Sequence, residues 1–327
     1  MSTACTQRCF ACAVPQVDRS GKWQVAKSQH RLRLDRFLRS SLSGCSQKAL
    51  DKGARSGELW LNGKRISSLE LFVKEGDKVE WKQPHTQPLD LDIDWPSRVL
   101  HEDESLLVIN KPAGLASTPA PGQSTNVLAA VEQWLRSRES TLPTLYPVHR
   151  LDLATSGVLI LVKSKVACDV LGRAFKTRAV KKCYHALVRG AAPEEAFSWH
   201  DALEVGKDGR AHVHPPSPEA TGKSAKTSGV VVQRFGKLAT HLELRPTTGR
   251  MHQLRAQAAS RGMPILGDFV YGVADAVSGV APPRLLLHCS AMEFPHPDDP
   301  EKVLSLHAPM PEDMTLCIAR LSDAARK

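Results

Sequence analysis

The residues best equipped for chemistry lie in one stretch, 147–164, which reads Pro-Val-His-Arg-Leu-Asp-Leu-Ala-Thr-Ser-Gly-Val-Leu-Ile-Leu-Val-Lys-Ser. His149, Arg150 and Asp152 stand side by side, and Thr155-Ser156-Gly157 follows. A carboxylate fixed at a strand edge, with cations beside it, can act as a nucleophile or a general base. An Asp ahead of Thr-Ser-Gly can equally do no more than close the turn with its side chain. The stretch by itself leaves both readings open. Residues 158–162 are continuously apolar, too few to cross a membrane and rich in β-branched side chains. They are expected to form a buried strand that delivers the polar turn to its edge.

Holding such a turn takes further strands and helices. Residues 106–109 read as a strand, followed by a sharp turn at Asn110-Lys111-Pro112-Ala113-Gly114. Helices are expected around 127–135 and 166–175, and strands at 184–188, 240–244 and 285–294. Arg173, Lys176, Arg178, Lys181 and Lys182 form a dense run of cations. Residues 191–228, rich in Pro, Gly and charge, are expected as hairpins and loops. A helix over 252–259 ends at Gly262, ahead of Pro264, and puts His252 and Arg255 on one face.

Composition narrows the partners. The 327 residues carry 44 Lys+Arg against 34 Asp+Glu, a net charge of +10, with 42% hydrophobic residues for a core. That balance favours a polyanion, either nucleic acid or an acidic membrane surface. No apolar run approaches the roughly 18 residues of a membrane helix. No secretory signal core is evident, so the chain is expected to be soluble and cytoplasmic, without a membrane partner. Eight cysteines are scattered, as expected of reduced thiols. Cys5, Cys9 and Cys12 have the spacing of an iron–sulfur motif of radical enzymes, but nothing nearby would hold a cluster rigidly. They are expected to belong to a flexible leader, 1–28. His212-x-His214 lacks further ligands and reads as an exposed strand, so no metal is expected. Asp90, Asp92 and Asp94 alternate with apolar residues as in an edge strand, not a calcium loop.

A small basic module, 29–82, precedes a linker, 83–98, and a large domain, 99–327. Residues 22–65 hold eleven Lys/Arg against Asp35, Asp51 and Glu58. Leu34, Phe37, Leu38 and Leu42 make one apolar helix face, a second short helix spans 46–52, and Asn62-Gly63 marks a hairpin. Arg33-Leu34-Asp35-Arg36-Phe37-Leu38, Ser46-Gln47-Lys48-Ala49-Leu50, Leu61-Asn62-Gly63-Lys64 and Lys74-Glu75-Gly76-Asp77-Lys78-Val79 resemble the alpha-L RNA-binding domain. The resemblance implies RNA contacts from Arg33, Arg36, Arg39, Lys48, Lys64 and Arg65. Cys45 stands where that family usually has an arginine.

Over residues 98–320 the chain resembles the RNA pseudouridine synthases of the large-subunit ribosomal RNA type. The resemblance rests on Asn110-Lys111-Pro112-Ala113-Gly114; Val148-His149-Arg150-Leu151-Asp152 with Thr155-Ser156-Gly157; Lys182-Cys183-Tyr184-His185-Ala186-Leu187-Val188; Gly222-Lys223-Ser224-Ala225-Lys226-Thr227; Thr248-Gly249-Arg250-Met251-His252-Gln253-Leu254-Arg255; Pro264-Ile265-Leu266-Gly267-Asp268 with Tyr271-Gly272; and Leu287-His288-Cys289-Ser290. Seven pieces in order are specific where one would be weak. Met251 replaces the usual Thr, and Ala256-Gln257-Ala258 the usual Val-His-Leu.

The resemblance implies an α+β fold: a curved, mainly antiparallel mixed sheet with a central cleft and flanking helices, plus the small N-terminal module. It implies isomerisation of uridine to pseudouridine, without a cofactor. Asp152 would be the nucleophile or proton-abstracting carboxylate, ionised in a dry pocket because Arg255 pairs with it in bidentate fashion. Tyr184 would face the flipped uracil. Arg150 would fill the space left by the base, or touch phosphate. His149, Lys111 and Leu287 would complete the substrate contacts. The expected partner is RNA, ribosomal RNA first and transfer RNA as the alternative, with the protein a monomer. A rival of another class is a non-catalytic RNA-binding or ribosome-assembly factor on the same scaffold. The presence of Asp152, Tyr184 and Arg255 together opposes it.

Overall fold

The computed structural model describes residues 21–42, 46–47, 50, 54, 59–66, 69–81, 93–119, 125–138, 144–217, 221–272 and 276–326. They belong to two units, Met1–Asp90 and Leu91–Lys327. Cys5, Cys9, Cys12, Lys48, most of the expected second helix and the first part of the expected linker lie outside the described residues.

In the smaller unit β1 (Gly21–Gln24), β2 (Leu59–Leu61), β3 (Lys64–Arg65) and β4 (Lys78–Trp81) form an antiparallel sheet in the order β1-β4-β2-β3. Asn62 and Gly63 both have positive φ, 52° and 76°, as a two-residue hairpin with matching twist requires. Helix α1 (Leu34–Ser41) buries Leu34, Phe37 and Leu38 in the same core as Leu59, Val79 and Trp81. Burying each such side chain stabilises the unit by about 1.5–3 kcal/mol. The expected leader is too long. Trp23 of β1 pairs with Val79, and Val25 is 2% exposed, so the end of that segment carries apolar surface the sheet takes up. Four alternating residues are too few for periodicity to reveal.

The larger unit runs α2 (Trp95–Arg98), β5 (Val99–Glu102), β6 (Leu106–Lys111), α3 (Val127–Arg138), β7 (Tyr146–Pro147), β8 (Ser156–Val162), α4 (Lys165–Thr177), β9 (Lys181–Arg189), β10 (Ala196–Val205), β11 (Ala211–His214), β12 (Lys223–Phe235), β13 (Ala239–Pro246), α5 (Gln253–Ser260), β14 (Leu287–Pro295), β15 (Val303–His307) and α6 (Glu312–Ala324). Its eleven strands make one sheet in the order β11-β10-β12-β13-β9-β14-β8-β6-β5, with β15 on β14 and β7 on β8. Every pairing among the described residues is antiparallel except β8 with β14. All seven residues of β8 are buried, as a strand with sheet on both sides and cover on both faces must be.

One expectation fails here for a local reason. The end of the expected linker is α2, started by Asp94, whose carboxylate accepts the Ser97 N–H, and anchored by Trp95 at 4% exposure in the core. The expected hairpins and loops of 191–228 comprise the antiparallel hairpin of β10 and β11 and the start of β12, which alternates buried Ala225, Thr227 and Gly229 with exposed Lys226 and Ser228. One solvated face gives such a strand a loop-like composition.

Gly157 fixes the register at the centre. Its φ is +114°, and a Cβ there would stand 2.1 Å from the Cys289 carbonyl oxygen. Only glycine lets β8 lie beside β14 with Gly157 opposite Cys289. The neighbouring pair, Ser156 and His288, is sealed by a buried 2.9 Å hydrogen bond from Ser156 Oγ to His288 Nδ1.

Candidate active site

The turn before β8 is pinned at several points. The Leu151 N–H donates to Ser117 Oγ, which in turn donates to the Leu151 carbonyl. The Thr155 N–H donates to the main-chain carbonyl of Asp152. The turn therefore uses the backbone of Asp152 and leaves its carboxylate for other work. That carboxylate lines a pocket of about 410 Å³ together with Arg150, Tyr184, His252, Arg255 and Leu287.

Arg255, on the buried helix α5, is 7% exposed. Its Nη1 donates to Asp152 Oδ2 at 3.2 Å. The bidentate partner is a different residue from the expected one. Nε and Nη2 each donate to Asp268 at 2.8 Å, and the Val270 and Tyr271 N–H groups donate to the same carboxylate. Asp268 has no exposed side-chain surface, so the fork is pre-set and Asp152 takes only the guanidinium's third edge. The guanidinium also lies over the Tyr271 ring, 5.3 Å from its centroid. Burial alone would raise the Asp268 pKa; the hydrogen bonds and charge of Arg255, helped by the two N–H groups, bring it below the usual value.

Tyr184 comes from β9 and lines the pocket. Burial, then the neighbouring Cys289 and Asp152, hold its phenol well above the ordinary value, so it stays neutral. Leu287, 4% exposed, contributes apolar lining from β14. Arg150 is exposed and lines the same pocket. Lys182, from the run of cations, also faces in and donates to the Thr248 carbonyl at 3.0 Å.

Two expected substrate contacts carry structural work, His149 as part of the pocket lining and Lys111 away from it. His149 Nε2 accepts the Ile160 N–H at 2.9 Å, and its ring stacks on Phe175. Burial, then Lys182, lowers its pKa to about 3. It is a neutral wall of the pocket with its acceptor already used. Lys111 is fully buried and absent from the pocket lining. Its Nζ donates to the carbonyls of Pro112, Leu115 and Leu153 at 2.8, 2.7 and 3.2 Å. It ties the turn after β6 to the Asp152 segment, because three carbonyls converge where the side chain ends.

A larger cavity, about 790 Å³, is lined by Lys181, Lys182, Cys183 and His185 of β9. Its acids are already paired, Glu293 with Lys181 at 2.6 Å and Glu243 with Arg245 at 2.8 Å. Among the described residues no group of three or more His, Cys, Asp or Glu side chains is arranged to hold a metal ion, and no helix is long and apolar enough to cross a membrane. His212 pairs with Asp208 at 3.1 Å.

In the smaller unit Arg36 and Arg39 are exposed on α1. Arg33 is drawn to Asp35 at 3.3 Å and to Glu70 at 3.8 Å. Lys64 and Arg65 form β3. No role was assigned from the sequence alone to Asp268, Tyr271 or His252, although all three stand in the family-like pieces.

Comparison with known proteins gives a consistent picture. Residues 105–260 match the family described as RNA pseudouridylate synthase. The chain is 32% identical over 311 residues to the ribosomal large subunit pseudouridine synthase C of Escherichia coli (strain K12), covering 89% of this chain and 93% of that protein. It is 32% identical over 250 residues to an uncharacterized RNA pseudouridine synthase of Aquifex aeolicus, covering 73% and 77%. Among solved structures, human RNA pseudouridylate synthase domain containing 4 matches with a TM-score of 0.56 at 26% identity, covering 69% of this chain and 94% of that one. Human RNA pseudouridylate synthase domain containing 1 matches with a TM-score of 0.53 at 27% identity, covering 70% and 94%.

Proposed function

This chain belongs to the RNA pseudouridine synthase family, and we propose that it isomerises particular uridines of large-subunit ribosomal RNA with Asp152 as the working carboxylate. The observation that carries this reading is a carboxylate left free by its own turn, lining a nucleoside-sized pocket with Tyr184, and oriented by an arginine that Asp268 has already fixed. The name of the Escherichia coli relative supports ribosomal RNA as the substrate.

A uridine within folded RNA must leave its stack to enter the pocket, at a cost of a few kcal/mol. Exposed Arg173, Lys176 and Arg178 at the end of α4, with Arg36 and Arg39 of the smaller unit, supply phosphate contacts that offset it. Arg150 takes the space the base leaves. Tyr184 offers its ring to the extruded uracil, and such stacking is worth about 1–3 kcal/mol. Asp152 then works on the ribose side of the N1–C1′ bond, as nucleophile or as base. That bond breaks, the uracil turns, a C5–C1′ bond forms, and the C5 proton is replaced by one on N1. Atoms and oxidation state balance without a co-reactant. The protein acts as a monomer in the cytoplasm.

The test is to map pseudouridines in ribosomal RNA from a strain lacking the protein, then after return of wild type, Asp152→Asn or Asp152→Ala. Wild type restores particular sites and neither variant does, while both keep RNA affinity. Restoration by Asp152→Ala would sink the proposal.

A further inference from the structure

His252 lines the pocket, and the mechanism above leaves it without a task. Its φ is 51°, in the left-handed region that few side chains enter, and it stands as the residue that begins α5. Its ring is held from one side. Nδ1 lies 3.0 Å from Tyr271 Oη, with the two rings edge to face at 87°. Tyr271 Oη also accepts the Ala211 N–H at 2.7 Å.

That arrangement selects a tautomer. The phenol has one hydrogen to give. If it goes to His252 Nδ1, the phenol, the amide and the imidazole nitrogen are all satisfied. With the proton on Nδ1 instead, the phenol hydrogen would have no acceptor here. So Nδ1 accepts, and the ring proton sits on Nε2. Burial raises the Tyr271 pKa, and burial lowers that of His252 against the pull of Asp152, so both groups are neutral. Nε2 makes no hydrogen bond to any described residue. Asp152 Oδ2 is 3.9 Å away, beyond hydrogen-bond reach but close enough to mark where the substrate must sit.

The geometry points to His252 as a further catalytic residue, whose Nε2–H donates to the O2 carbonyl of the target uracil as the N1–C1′ bond breaks. This rests on the uridine isomerisation proposed above. With Asp152 working at the ribose, a donor 3.9 Å from its oxygen reaches the base atoms beside the glycosidic bond. O2 is one atom from N1, whereas O4 lies across the ring. The bond's electron pair moves onto the uracil and is shared by N1 and O2. A fixed neutral N–H stabilises that charge, and its proton stays on Nε2 throughout. Tyr271, anchored by Ala211, is the positioning residue that keeps the N–H aimed.

The test uses the full-length protein and RNA carrying uridine, 2-thiouridine or 4-thiouridine at the target, because sulfur accepts hydrogen bonds poorly. His252→Asn suits it, since Asn tolerates positive φ and lacks an atom at the Nε2 position. Single-turnover pseudouridine formation should fall about a hundredfold in H252N, with RNA affinity unchanged. The 2-thio substitution should slow wild type far more than H252N, and the 4-thio substitution should slow both alike. A rate within threefold of wild type, or equal slowing of both proteins by 2-thiouridine, would overturn the inference. Nitrogen NMR of histidine-labelled protein gives a check that needs no activity. Wild type should show the Nε2–H form and Tyr271→Phe a mixture; an Nδ1–H form in wild type overturns the proposal. A wild type that forms no pseudouridine in any RNA sinks the reading of function instead.

Discussion

Asp268→Ala isolates the part of the site that is built before substrate arrives. The Asp268 side chain is fully buried and accepts four hydrogen bonds, two from Arg255 and one each from the Val270 and Tyr271 N–H groups. Removing it strands a guanidinium of 9% side-chain exposure with one 3.2 Å bond to Asp152 and the Tyr271 ring face. Breaking a buried pair by deleting one partner costs about 3–5 kcal/mol. The remaining contact with Asp152 puts this case near the lower end, about 3 kcal/mol. Asp268→Asn keeps the shape but sets an amide N–H against one of the Arg255 donors, so it should lose nearly as much. Urea unfolding followed by tryptophan fluorescence measures the loss, with Trp199, under the Arg261 guanidinium, as one reporter. The pH dependence has a definite sign. Because the Asp268 pKa is lowered in the fold, its contribution is complete above the unfolded value near 3.9 and fades as pH falls through the folded one. The gap between wild type and D268A should hold constant from about pH 7 to 5 and narrow below about pH 4. A loss under about 1 kcal/mol at pH 7, or a gap that ignores acid, would refute the reasoning.

His149, His241 and His288 have pKa values lowered to about 3, 4 and 4, burial being the main cause in each. The unfolded chain binds these protons first, so stability should fall as pH drops from about 6.5 toward the folded values, by at most about 1.4 kcal/mol per pH unit for each histidine. His149→Gln can still accept the Ile160 N–H and should make the urea midpoint less steep in pH between 7 and 4; an unchanged slope would contradict the assignment of His149 as a neutral wall. In the smaller unit, Arg36→Glu with Arg39→Glu should weaken RNA binding and flatten its dependence on salt, with chemistry on bound RNA little changed. Filter binding across a salt series checks this, and a slope equal to that of wild type counts against phosphate contact by α1.

The sequence exposed what is local and hid what depends on closure of the chain. β8 was legible because five apolar residues in a row have few alternatives, and α1 because Leu34, Phe37 and Leu38 share a helical face. β1 was not, because it is too short for alternation to stand out. The same division runs through the site. Asp152 and Arg255 could be named from family-like motifs 103 residues apart, but no spacing says which carboxylate takes the guanidinium's fork. That was decided by a loop that returns Asp268 to α5 with two of its own N–H groups already spent on the carboxylate. Lys111 shows the converse. A lysine in a motif looks like a hand for the substrate until three carbonyls are found closing on it. Residue type sets what a side chain is able to do, and the partners met after folding decide how much of that capacity is still free. At this site the capacity left over is concentrated on the Asp152 carboxylate and the His252 Nε2–H, 3.9 Å apart and facing one pocket.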